Sequence, residues 1–236
     1  MPKVLATADL HGNLPAIPDC DLLVIAGDIC PDFFTHRPSR TMEKGEQRQK
    51  SWLNTEFREW LDELSARNIE VVGIAGNHDY VFEHHFLIPD DLPWTYLRDE
   101  GHTSRTGLKL WGTPWVPNLP NWAFYGSERA LEIRCSIIPE DLDILISHGP
   151  PYGLGDMIGP FFGGPKPVGD IPLLKKLDRI RPTVVVCGHI HEAHGVYDYP
   201  FDPDSKPYTT VYNVAYVDET YAPVNPIVEL TEFTYV

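Results

Sequence analysis

The most constraining feature of this chain is a local pattern that recurs five times. Short runs rich in Val, Ile and Leu occur at Val4–Ala8, Leu22–Ala26, Ile69–Ala75, Ile144–Ile146 and Thr183–Cys187. None alternates cleanly between apolar and polar residues. Each therefore reads as a strand buried on both faces, as in the parallel sheets of layered α/β proteins. Each run also ends in side chains of metal-ligand type. The endings are Asp9-Leu10-His11-Gly12, Gly27-Asp28, Gly76-Asn77-His78-Asp79, Ser147-His148-Gly149 and Gly188-His189-Ile190-His191. Ligands of open α/β sheets bind at the carboxyl ends of the strands, so these five ends are expected to converge on one place.

Taken singly, each ending is ordinary. An Asp after a strand is commonly a turn residue or a helix N-cap, and a His there is commonly solvated. The neighbouring glycines serve turns as readily as they serve close approach. Five such endings in one short chain are harder to explain as coincidence. The donor types carry further information. Carboxylates, imidazoles and one amide, with no thiolate, suit Mn, Fe, Zn or Co. They hold too much nitrogen for a dedicated Ca or Mg cage. Seven candidates, Asp9, His11, Asp28, Asn77, His148, His189 and His191, exceed the needs of one structural zinc and match two ions with open positions.

The rest of the chain reads as a frame for that site. Gln47–Asn68 sets Trp52, Leu53, Phe57, Trp60, Leu61 and Leu64 at helical spacing, which predicts an amphipathic helix. Pro172–Arg181 is a shorter helix stopped by Pro182. Tyr208–Val217 and Ile227–Val236 read as antiparallel strands, and Thr103–Gly112 as a hairpin element. Pro31–Glu46 and Phe161–Pro165 read as loops. Strands alternating with helices, then further strands, predict two packed sheets with helices outside. A length of 236 residues fits a single domain over 1–236.

Charge narrows the partners. The net charge of -15 repels polyanions on average, so a nucleic-acid polymer is not expected and a small substrate is. The four cysteines form no CxxC element and read as reduced thiols. No apolar run is long enough to span a bilayer, and the N-terminus lacks the pattern of a signal peptide, so a cytoplasmic location is expected with no membrane partner. Assembly is left open, a homodimer included.

In their order, Asp-x-His, Gly-Asp, Gly-Asn-His-Asp, Ser-His-Gly and Gly-His-x-His, these blocks resemble the calcineurin-like metallophosphoesterase superfamily. Within it, Trp111–Trp115 and Ser147–Pro151 are similar to elements of the small phosphodiesterases of the MPPED type. The resemblance implies an α/β fold: a four-layer α-β-β-α sandwich of two mixed sheets, with the metal site at the C-terminal strand ends. It implies one metal on Asp9, His11, Asp28 and His191, and a second on Asp28, Asn77, His148 and His189, with Asp28 bridging. His78 would contact the phosphate and assist the leaving group, and Asp79 would orient His78. Hydrolysis of a small phosphate ester would follow by in-line attack of a hydroxide held at two divalent or trivalent ions, Mn, Fe or Zn. The Ser/Thr phosphatase branch carries a phosphate-clamping Arg after its Gly-Asp, and Gly27-Asp28-Ile29-Cys30-Pro31 has none. Protein phosphatase activity is therefore not expected, and the MPPED-type resemblance implies a phosphodiesterase, with a phosphomonoesterase or a non-catalytic scaffold of the same fold as alternatives.

Other residues carry weaker signals. The aromatic stretch of Trp111, Trp115, Trp122, Phe124 and Tyr125 is expected to serve as core or cover. A wall that stacks on an aryl or nucleobase leaving group is the functional alternative. His36, His84 and His85 read as surface residues, and His194 as solvated or as a support behind the ligands. Arg37, Arg40 and Arg48 could reach a substrate phosphate from the Pro31–Glu46 region, but a solvated loop is the expected reading.

Overall fold

The computed structural model describes residues 2–33, 42–160, 164–200 and 208–233. The predicted buried runs form strands β1 (Val4–Thr7), β2 (Leu22–Ala26), β3 (Glu70–Ile74), β7 (Ile144–Ser147) and β10 (Val184–Cys187). Shorter or more exposed strands complete the set: β4 (Thr95–Tyr96), β5 (Glu100–Thr103), β6 (Lys109–Thr113), β8 (Met157–Ile158), β9 (Lys166–Pro167), β11 (Gly195–Tyr199), β12 (Thr209–Asn213) and β13 (Val228–Glu229). One sheet has the order β13-β1-β2-β3-β4 and the other β11-β12-β10-β7-β6-β5, while β8 and β9 pair as a separate ribbon.

Helices α1 (Met42–Asn54), α2 (Glu56–Ala66), α3 (Glu128–Ile137) and α4 (Ile171–Ile180) cover the sheets. Three apolar layers explain why the central strands are buried on both faces. Along β1 and β2, Leu5, Leu23 and Ile25 pack towards α1 and α2, with Phe57, Trp60, Leu61 and Leu64 opposite. The alternate residues Val4, Ala6, Leu22 and Val24 meet Ile144, Ile146, Val184 and Val186 of the other sheet. On the far side, Leu145, Val185 and Val211 pack under Leu173, Leu177 and Ile180 of α4. The result is the expected sandwich of two mixed sheets between helices, and a side-chain period of two assigns each residue to its layer.

Both sheets direct the carboxyl ends of their parallel strands to one edge. β1, β2 and β3 run parallel in register, Ala6 opposite Val24 and Val24 opposite Val72. In the second sheet β6, β7, β10 and β12 are parallel. At the shared edge Ala8 bridges to Ala215, and Ala8 N–H donates to Val214 O at 3.0 Å, tying the sheets together where the candidate site lies.

Four local expectations change. The helix predicted over Gln47–Asn68 is two helices broken at Thr55, whose hydroxyl donates to Ser51 O at 2.9 Å, and the first of them begins as early as Met42 inside the predicted loop. The rest of that loop, 34–41, lies outside the described residues, as do 161–163 of the second. β12 is antiparallel to β11 but parallel to β10. The final strand is short: β13 pairs antiparallel with β1, then Thr231–Phe233 turns as a 3-10 helix that sends Leu230 and Phe233 into the layer between the sheets. Among the described residues no helix is long and apolar enough to cross a membrane.

Candidate metal centre

The five strand ends meet as the sequence pattern implies. Asp9 and His11 follow β1, Asp28 follows β2, Asn77 follows β3, His148 follows β7, and His189 and His191 follow β10. Donor atoms of Asp9, His11 and His191 lie within 4.8 Å of one another, and so do those of Asp28, His148 and His189. Asp28 links the two groups, its Oδ2 lying 3.2 Å from His148 Nε2 and 3.9 Å from His11 Nε2. Asn77 Oδ1 is 3.0 Å from His148 Nε2. All seven side chains expected as ligands therefore share one neighbourhood.

The backbone is bent to bring them there. Asp9, His11, Asp28 and His189 all have left-handed φ, between 44° and 69°. Side chains seldom adopt this conformation, and where they do the surrounding structure must hold it. Hydrogen bonds at the strand ends supply the restraint. Asp9 N–H donates to Gly27 O and His11 N–H to Asp28 O, each at 2.9 Å. The carboxylate of Asp9 accepts from His189 N–H at 2.9 Å. Two glycines are needed for close approach. A Cβ on Gly188 would collide with Asp9 Oδ2, and one on Gly76 with Asp28 Oδ1.

Asn213 adds a brace to the loop that carries His189 and His191. Its buried amide donates to Gly155 O and Ile190 O, each at 2.9 Å. The imidazoles are oriented from outside. His148 Nδ1 sits 2.8 Å from Ala26 O and His191 Nδ1 3.0 Å from Asp218 O. A carbonyl can only accept, so each Nδ1 carries the hydrogen and each Nε2 is the lone-pair nitrogen of the neutral ring. Metal-binding histidines are fixed in this way.

Electrostatics fit a cation. Burial alone would raise the Asp28 carboxyl, yet His148, His78 and His11 hold it well below the ordinary carboxylate range. Burial alone would depress His148 and His191, but the Asp28 and Asp9 carboxylates bring both up to about 9. His189, buried beside His148, is pushed down to about 3 and stays neutral. The carboxylates thus draw positive charge onto rings whose Nε2 atoms point at them, a demand that a bound metal would meet without protons. His11 Nε2 is buried with no hydrogen-bond partner, a donor atom that a cation would satisfy.

The matching family model, Calcineurin-like phosphoesterase, covers residues 2–193. The chain belongs to that family. It is 33% identical to human metallophosphoesterase domain-containing protein 1, over 95% of this chain and 69% of that one. It is 28% identical to a UPF0046 protein of Caenorhabditis elegans, over 82% of this chain and 65% of that one. A solved crystal structure with 15% sequence identity superposes over 98% of this chain and 99% of its own, with a TM-score of 0.62, which speaks to the fold alone. Family membership and the donor clusters together support a metal-dependent phosphoesterase.

A cleft of about 430 Å³ opens onto Asp28, Asn77, His78, His189 and His191 of this candidate site. One expectation about the surrounding residues needs correction. Asp79 does not orient His78. Its fully buried carboxylate accepts from the N–H groups of Ile29, Cys30 and Gly76 at 3.0, 2.8 and 2.8 Å, clamping the β2 and β3 ends together. Burial and the nearby Asp28 charge push its carboxyl up to about 6. His78 Nδ1 instead faces Asp32 Oδ1 at 2.5 Å, and Asp32 Oδ2 lies 3.2 Å from His11 Nδ1. Asp32 was legible only as part of a polar loop, although it stands four residues after Asp28.

The aromatic stretch divides. Phe124 is buried core and Trp115 packs against that core, whereas Trp122 reaches the cleft and rests on His78. Tyr221, also in the cleft, carried no signal in the sequence. Arg48 lies over Phe33, His84 and His85 are exposed, and none of these lines the cleft. His194 also stays outside the donor clusters, its ring partly buried. His36, Arg37 and Arg40 fall outside the described residues.

Proposed function

We propose that the chain hydrolyses phosphodiesters at a two-metal site. One ion would be held by Asp9, His11, Asp28 and His191, and the other by Asp28, Asn77, His148 and His189. The observation that carries this reading is the position of Asp28, which belongs to one carboxylate–histidine group and lies 3.9 Å from His11 of the other. Mn, Fe or Zn suits the donor set. Such ions, when bound, supply Lewis acidity and activate water near neutral pH.

The residues around them do the positioning. Asp32 fixes His78 through Nδ1, which leaves Nε2 as the nitrogen that donates to the departing oxygen. In the overall reaction water gives its oxygen to phosphorus and the ester P–O bond breaks. The leaving oxygen takes the proton from His78 Nε2, and water's second hydrogen restores the imidazolium. Preference for a diester rests on charge. Among the described residues Lys166 is the one Lys or Arg lining the cleft, and Glu192 and Glu219 also line it. A monoanionic diester meets less repulsion there than a dianionic monoester.

The test is reconstitution of the purified protein with Mn, Fe, Zn or Ni, followed by rates on bis(4-nitrophenyl) phosphate and 4-nitrophenyl phosphate. Two ions per chain and faster diester turnover are expected. A single bound ion, or faster monoester turnover, would overturn the corresponding part of the reading.

A further inference from the structure

Beside the metal donors the cleft is walled by aromatic side chains that a site for phosphate alone does not need. Trp122 lies with its ring centroid 4.4 Å from that of His78, and Tyr80 stacks near it at 6.2 Å with an interplanar angle of 28°. Tyr221 stands edge-on to His11 at 4.5 Å and lies 6.1 Å from His78. Both residues line the cleft, and they stay 36% and 43% exposed although they are packed against the site.

The chain is contorted to place them. Around Trp122, Asn118, Asn121 and Phe124 have φ of 59°, 78° and 51°. For a bulky residue such as Phe124 that conformation is unusual. Burial of the Phe124 ring and a hydrogen bond from Val116 N–H to Phe124 O at 3.0 Å hold it there. Tyr221 has φ of 64°, also unusual for an aromatic residue. It is held by a turn in which Tyr221 N–H donates to Asp218 O at 2.9 Å and the Asp218 carboxylate takes Thr220 N–H and Ala222 N–H. Strain of this kind concentrates where a side chain has a task. Pro117, Leu119 and Ile158 extend the apolar lining, while Glu192 and Glu219 would repel a second anionic group.

We infer that Trp122 and Tyr221 form an aromatic slot beside His78 that takes a planar ring on the leaving group, making aryl and heteroaryl esters the preferred substrates. The inference rests on the phosphoesterase reading above for the placement of the leaving oxygen at His78. It requires no charged group on the ring, and it assigns the two aromatic residues to specificity.

The test compares phenylphosphonate with methylphosphonate as ligands of the Mn-reconstituted protein by titration calorimetry. Neither contains a P–O–C bond to hydrolyse. Stacking on an aromatic side chain predicts that phenylphosphonate binds about 10-fold more tightly or better. That ratio should fall towards one in Trp122→Ala and in Tyr221→Ala, and Trp122→Phe should keep most of it. Equal dissociation constants in the unaltered protein would overturn the slot, and so would an unchanged ratio in both alanine variants. The two readings fail separately. A preference for phenylphosphonate in a protein that turns over neither aryl phosphate overturns the phosphoesterase reading and keeps the slot. Turnover of bis(4-nitrophenyl) phosphate without that preference overturns the slot alone.

Discussion

His78 Nδ1 and Asp32 Oδ1 are 2.5 Å apart, and the second oxygen of Asp32 lies 3.2 Å from His11 Nδ1. One carboxylate therefore holds the candidate acid by a hydrogen bond and stands beside a candidate metal ligand. Asp32→Asn keeps the size of the side chain but removes its charge. Turnover of a diester is expected to fall by about 10–100-fold, the usual cost of losing an orienting partner. Thermal stability should change little, because the Asp32 side chain is still 30% exposed. An Asp32→Asn enzyme with unaltered kcat would show that His78 is positioned by something else.

Asp28 and His78 should separate metal binding from proton transfer. Asp28→Ala removes the carboxylate between the two donor groups, so metal content and activity are expected to be lost together. His78→Ala leaves all seven candidate ligands in place. It should reduce turnover by roughly 10²–10⁴-fold, the range for a positioned general acid, with metal content near that of the unaltered protein. Elemental analysis alongside kinetics distinguishes the two. Loss of metal from His78→Ala would place that imidazole among the ligands.

The sequence made the donors legible because each follows a strand whose composition reveals burial on both faces. Val24 and Ile25, for example, enter different apolar layers, and Asp28 must then emerge at the strand end. Side chains that act across the fold were harder to read. Asp32 and Tyr221 reach the site from irregular segments, Tyr221 on a turn with left-handed backbone, and no periodicity announces either. Asp79 was misread for a related reason. Adjacency to His78 in the chain implied contact, but the Asp79 carboxylate turns back onto three N–H groups.

That arrangement gives Asp79 a structural role with its own consequence. Asp79→Ala would leave the N–H groups of Gly76, Ile29 and Cys30 without their acceptor in a buried setting. At about 1–3 kcal/mol for each unsatisfied group, a loss of roughly 3 kcal/mol or more of unfolding free energy is expected. Urea denaturation of the metal-free protein measures it directly. A loss near zero would mean that water or a shifted backbone replaces the carboxylate.

Asp170 offers a pH-dependent test away from the metal centre. It caps α4, accepting from Leu173 N–H at 3.0 Å, and it is only 4% exposed. Burial raises its carboxyl from the ordinary 3.8 to about 6, opposed by the Leu173 hydrogen bond. Because the folded value lies above the unfolded one, the folded state binds more protons between them, and stability falls as pH rises through that window. Above pH 6 the charged carboxylate costs roughly 1–3 kcal/mol, the upper figure reduced by its place at a helix N-terminus. Asn caps a helix as well as Asp does and carries no charge. Asp170→Asn should therefore be more stable than the unaltered protein at pH 7.5, and the difference should shrink as the pH is lowered towards 4. Paired thermal melts across that range decide the matter, since the other titrating groups are common to both proteins. A difference that grew on acidification would mean that the carboxylate is stabilised by the helix terminus more than it is penalised by burial.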